Sequence, residues 1–249
     1  MGTWILIVIT GMMAGMINSV AGGGSFLTFP ALIYAGLPPI AANASSTVAL
    51  LPGALVSAYG YKEYRQPFPG VSWTAMIILT LLGGCTGAVL LLFSSSSAFN
   101  LLVPWLLLTS SLTFAFGKQA GRRLRQKIII GPAVILSGQF FLGIYAGYFG
   151  GAVGIMMMAV WQIFGLTDLK AINANKTYFV FMSNIVAVAI FVVANKVVWP
   201  QTLVMMATTV IGGYLGTHYA KKLDPVKLRL AITVFNFIIT AVFFYQTYY

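Results

Sequence analysis

The chain has 249 residues, 59% of them hydrophobic and only 7% charged, against roughly 25% charged residues in a typical soluble domain. Its three acids, Glu63, Asp168 and Asp224, cannot solvate a globular surface of this size, so lipid must cover most of the molecule. The net charge of +11 is not a nucleic-acid footprint: the Lys and Arg residues sit in short clusters between apolar spans, where they act as topology signals.

Apolar stretches occupy 4–20, 71–93, 99–116, 128–149, 178–194, 203–219 and 228–245, each near the ~20 residues that a membrane-spanning helix needs. The first carries no basic residue at its start, unlike a secretion signal, and is read as part of the structure. It stops at Gly22, Gly23, Gly24 and Ser25. The next apolar segment, 26–35, is too short to cross a bilayer unaided. Three longer helices follow, the first opening on the polar motif Ala-Ala-Asn-Ala-Ser-Ser-Thr at 41–47, which holds Asn43, Ser46 and Thr47. Residues 118–127 form a basic linker, expected to be cytoplasmic.

Beyond the linker the pattern starts again. Gly11, Ala14, Gly15 and Gly22 recur as Gly143, Ala146, Gly147 and Gly154, and the motif at 41–47 recurs at 171–177 with Asn173, Asn175, Lys176 and Thr177. Gly83, Gly84 and Gly87 recur as Gly212, Gly213 and Gly216, which read as close helix contacts. The chain is therefore expected to be an all-α polytopic membrane protein of two repeats, 1–117 and 128–249, with about five helical segments each and a short or re-entrant second segment.

Loop charges give the orientation. If the first two segments of each repeat make zero or two crossings, the repeats are inverted, twelve basic residues lie inside and Lys196 alone lies outside. A single crossing would make the repeats parallel and divide the charges eight to five. The positive-inside rule selects the inverted arrangement in an inner membrane, with both termini outside. Inverted repeats with interrupted helices are a transporter pattern.

Two helix breaks, Gly22 to Ser25 and Gly150, Gly151 to Gly154, are candidate anion sites, because glycine admits close approach to backbone N–H groups and a following helix aims its positive end at the break. Asn43, Ser46, Thr47, Asn173, Asn175 and Thr177 either line a cavity, bond the broken backbone or cap the helices they open. Lys176 is the one basic residue set beyond the first residues of an apolar span; it either contacts a substrate or snorkels to the interface. A cation among neutral polar groups suits an anion.

At these residues the chain resembles the sulfite exporter TauE/SafE family, also called the toluene sulfonate uptake permease family. The resemblance rests on Gly-x-x-x-Gly followed by Gly-Gly-Gly-Ser-Phe-Leu-Thr-Phe-Pro-Ala-Leu within 11–32, Ala-x-Asn-Ala-Ser-Ser-Thr at 41–47 and Ile-Asn-Ala-Asn-Lys-Thr at 172–177, and it covers essentially the whole chain. It implies an inner-membrane transporter of sulfite, a sulfonate or a related sulfur oxyanion. Export needs no coupling, because an inside-negative potential favours anion exit by about 2.3 kcal/mol per charge per 100 mV; a coupling ion, Na+ or H+, and a homodimer are admissible partners. An anion channel and a structural membrane subunit are the alternatives. An intramembrane serine hydrolase lacks a nucleophile motif, and no cofactor is called for.

Overall fold

The computed structural model describes residues 2–20, 23–127, 131–219 and 225–249. Gly22, Lys221, Lys222 and Asp224 lie outside the described residues, as do the side chains of Lys118, Arg122, Arg125, Lys227 and Arg229. Among the described residues the chain is all-helical with no strand: α1 (Gly2–Val20), α2 (Ser25–Tyr34), α3 (Pro39–Gly60), a 3-10 turn (Lys62–Tyr64), α4 (Trp73–Phe93), α5 (Ser96–Arg125), α6 (Pro132–Tyr148), α7 (Val153–Phe164), α8 (Leu169–Val193), α9 (Trp199–Tyr219) and α10 (Pro225–Tyr248). Five of the described segments are long and apolar enough to cross a membrane: Pro39–Gly60, Trp73–Phe93, Ser96–Gly117, Lys170–Val193 and Leu230–Tyr248. The 10-residue α2 and the 12-residue α7 are not.

Local chemistry sets these boundaries. Pro39 opens α3 and Pro132 opens α6, at positions where the missing N–H costs nothing. Ser72, Ser95 and Asp168 cap α4, α5 and α8 through their side chains. Asp168 accepts from the amides of Lys170 at 2.8 Å and Ala171 at 3.3 Å. Asn43 and Asn173 therefore sit in the second turns of α3 and α8 and cap neither helix.

The stretch 118–127 is not a loop. α5 runs on through Arg125, because nothing between 117 and 125 breaks a helix and Gly117 and Gly121 let its tail lie against α7. A Cβ on Gly121 would stand 3.1 Å from the Ala159 carbonyl oxygen.

The helices pair across the two halves of the chain. α1 packs along α9 and α4 packs along α6, each pair in glycine-mediated contact. A Cβ on Gly15 would strike the Thr209 carbonyl, one on Gly212 the Met12 carbonyl, one on Gly87 the Ile144 carbonyl and one on Gly147 the Gly84 carbonyl. The contacts advance together along both chains, 11 with 205–208 then 15 with 209–213, and 83 with 140–143 then 87 with 144–148, so each pair runs parallel. α3 and α8 lie against each other at the centre.

Two matched pins hold the ends of this central pair. Ser45 on α3 accepts from the amide of Val198, which leads into α9, at 3.0 Å. Asn175, its counterpart on α8, donates to the Gln66 carbonyl at 2.8 Å and accepts from the Gln66 amide at 3.3 Å, on the loop leading into α4. Gln66 also donates to Asp168 at 3.2 Å, and the Lys170 ammonium lies 5.8 Å from the Tyr64 ring. Lys62, Arg65 and Lys170 thus share one end of the bundle, the basic end, and the start of α9 lies at the other. Since α4 and α9 start at opposite ends, their parallel partners α6 and α1 also run in opposite directions.

Candidate functional site

Each break sits where a short helix turns back. Gly23 takes φ +98°, a left-handed conformation open to glycine, and α2 restarts at Ser25. Gly24 is packed so closely that a Cβ would come within 2.8 Å of the Ala14 carbonyl oxygen. At the second break Gly150 takes φ +78° and Ala152 φ +53°. A left-handed alanine costs of order 1–3 kcal/mol, a strain that persists where surrounding structure imposes it. Ala152, which interrupts the second glycine run in the sequence, thus adopts a conformation glycine would take freely. Ser110 holds the turn by donating to the Gly151 carbonyl at 3.0 Å.

The two breaks meet at one cavity of about 90 Å³. Gly23, Gly24 and Ser25 border it on one side, and Gly150, Ala152, Val153 and Gly154 on the other. α2 and α7 both begin at its wall, so both present their N-terminal, electropositive ends to it. The opposing carbonyl at the end of α6 is partly withdrawn, because Asn43 donates to the Tyr148 oxygen at 3.0 Å.

α3 contributes Thr47, Leu50, Ala54 and Ser57, and α8 contributes Lys176, Thr177, Val180 and Asn184. Each set follows one helix face. Thr47 and Thr177, Leu50 and Val180, and Ala54 and Asn184 are matched by the offset that relates the two motifs, so the wall is built twice from the same positions.

Lys176 is 8% exposed. Its aliphatic stem crosses the second break, where a Cβ on Gly154 would lie 2.9 Å from Cδ and 3.0 Å from Cγ. No described residue forms an ion pair or hydrogen bond with its ammonium. Asp168, the nearest acid in sequence, is engaged at the basic end. Lys176 therefore borders the cavity with little of its surface exposed.

The expected site residues divide into three groups. Gly23, Gly24, Ser25, Thr47, Gly150, Lys176 and Thr177 border the cavity. Asn43, Ser46, Gly151 and Asn175 serve the framework, Ser46 through a 2.6 Å bond to Thr28. Asn173 is half-buried and off the wall. Sequence reasoning missed Asn18, Ser57 and Asn184. Asn184 was legible: it lies two turns beyond Lys176 on the same helix face, an amide in an otherwise apolar span.

The sulfite exporter TauE/SafE family profile matches residues 7–243. A probable membrane transporter protein of Haemophilus influenzae is 29% identical over 237 residues, covering 95% of this chain and 92% of its own. The probable membrane transporter protein YfcA of Escherichia coli strain K12 is 29% identical over 239 residues, covering 95% and 88%. The probable membrane transporter protein ORF9 of a Sinorhizobium species is 26% identical over 218 residues, covering 85% and 81%. With a match across nearly its whole length, and with the paired helix breaks that its motifs encode, this chain belongs to the sulfite exporter TauE/SafE family of membrane transporters.

Proposed function

We propose that the protein carries a small sulfur oxyanion, sulfite or a compact sulfonate, out of the cell through the cavity between the two breaks. One observation carries this reading: two helix N-termini and a lysine with no partner among the described residues border the same cavity. A negative substrate there meets fixed positive potential from three directions, in surroundings where that potential is little screened. Ser25, Asn18 and Asn184 supply donors that orient oxygens without neutralising charge; the Thr47 and Thr177 hydroxyls donate to the Asn43 and Ala174 carbonyls at 2.9 Å and shape the wall.

In this reading the chain is two inverted repeats, 1–117 and 128–249, working by alternating access in the inner membrane. The opposed directions of α1 and α6 and the reciprocal Ser45 and Asn175 pins support inversion. The gathering of Lys62, Arg65 and Lys170 at one end supports placing that end in the cytoplasm. The cavity wall on α3 reaches Ser57, three residues from the Gly60 end of the helix, so the open space is set toward the basic end, as an inward-facing state requires.

Two experiments test this. In proteoliposomes, sulfite should show saturable flux, competed by thiosulfate or methanesulfonate; flux that stays linear with concentration would instead indicate a channel, and no flux of any of these anions would remove the reading. For orientation, single cysteines placed at Gly2, Glu63 and Lys196 in a background lacking Cys85 should divide under an impermeant maleimide. Positions 2 and 196 should label on intact spheroplasts and 63 only after permeabilisation; the reverse pattern overturns the assigned sides.

A further inference from the structure

Beside the polar cavity lies a second, larger space of about 220 Å³, between α1, α3 and α9. It shares three wall residues with the first, Asn18, Leu50 and Ser57, so the two are adjoining chambers. The second chamber differs in chemistry. Apart from those shared residues its wall is glycine, valine, Thr209 and Tyr214, and the Thr209 hydroxyl is already spent on the Ala49 carbonyl at 2.8 Å. Among the described residues, none that borders it is charged.

Missing side chains make this space. Gly15, Gly53 and Gly213 line it. Gly15 is needed for the contact with α9, since a Cβ there would strike the Thr209 carbonyl. Gly53 has no such duty: a Cβ built on it meets nothing within 4 Å. Glycine in a helix interior costs roughly 0.5–1 kcal/mol relative to alanine, and no packing contact on this helix asks for it. The open volume is what Gly53 provides.

We propose that this chamber is a subsite for the apolar substituent of an organic anion, whose charged head occupies the polar cavity beside Lys176. The inference rests on the proposed anion site and names the substrate class more closely: a short-chain organic anion, with the chamber rather than the head setting selectivity among homologues. The dimensions agree. At ~15 Å³ of such space per water-sized group, the polar cavity of about 90 Å³ holds a small oxyanion head with little to spare, whereas the chamber of about 220 Å³ admits a chain of several carbons. Asn18, on the wall of both, stands where head and chain would join. The outer rim, Val56, Val210 and Tyr214, is exposed on the side of the bundle, so a longer chain has an exit toward lipid.

The test uses purified full-length protein in nanodiscs and n-alkanesulfonates of one to six carbons, with binding measured by calorimetry for the wild type, Gly53→Leu and Lys176→Met. For the wild type, affinity should rise roughly fourfold per methylene while the chain is being buried. In Gly53→Leu, methanesulfonate and sulfite should bind as in the wild type while the dependence on chain length is lost. Lys176→Met should weaken every homologue alike. A flat wild-type series with sulfite still bound overturns the subsite and leaves the anion site standing. An unchanged gradient in Gly53→Leu also overturns it, since the chains are then partitioning into lipid. Binding of none of the anions overturns the anion site itself.

Discussion

Lys176→Met should reduce anion flux at low substrate concentration by roughly thirtyfold while the protein still inserts and folds. Two unit charges ~4 Å apart at an effective dielectric of ~20 attract by about 4 kcal/mol. If desolvation of the anion offsets half of this, the remaining 2 kcal/mol is a factor of roughly 30 in affinity. Methionine keeps the length and the apolar stem that crosses Gly154, so packing at the second break survives. Removing the charge should also slightly favour the empty fold, because Lys176 is 8% exposed and no described residue pairs with it. Arginine should rescue poorly: its planar fork is longer and wider than an ammonium, and the stem is already confined against Gly154. Sulfite uptake or release by proteoliposomes, with thermal melting of the same samples, checks both halves. Undiminished flux in Lys176→Met would leave selection to the two helix N-termini alone.

Gly147→Leu should weaken the fold more than any other single substitution considered for this protein. The contact of α6 with α4 places the Gly84 carbonyl where a Cβ on residue 147 must go, and the Ala88 amide lies 2.9 Å from the same point. Both neighbours are helix backbone, so neither can rotate away, and the helices must separate along their length. Overpacking of this kind costs up to about 3 kcal/mol, and in a bilayer no hydrophobic force re-closes the gap. At ~2–4 °C per kcal/mol for a chain of this size, melting should fall by roughly 6–12 °C. The variant should elute broadly from size exclusion. Gly53→Leu is the control: its Cβ meets open space, and helix propensity favours leucine over glycine. Equal melting of the two variants would show that the glycine contacts do not hold the bundle together.

Much of this protein could be read from its sequence. Three acids in 249 residues require lipid around the chain whatever the fold. The repeated glycines and the repeated Asn motif place two breaks and two matched helices, because a break needs residues with little side chain and a bilayer tolerates polar groups only where they are satisfied. Even the place of Lys176 on the cavity wall is foreshadowed, since a charge in an apolar span needs a reason to be there.

What the sequence left open concerns which side of each helix faces which neighbour. Asn43, Ser46 and Asn175 read identically to Thr47 and Thr177 as polar residues in one motif, but 100° of rotation per residue sends the first three into framework bonds with Tyr148, Thr28 and Gln66 and the others to the cavity. The basic stretch at 118–127 looks like a linker by charge, yet its helical tail is held by contact between Gly121 and α7, a pairing distant in sequence. The apolar chamber beside Gly53 has no signature at all, because an empty volume is defined by three helices that the chain brings together only when folded. Composition and periodicity report what a residue must do with its local backbone and with lipid; the identity of its partner across the bundle is a property of the tertiary packing alone.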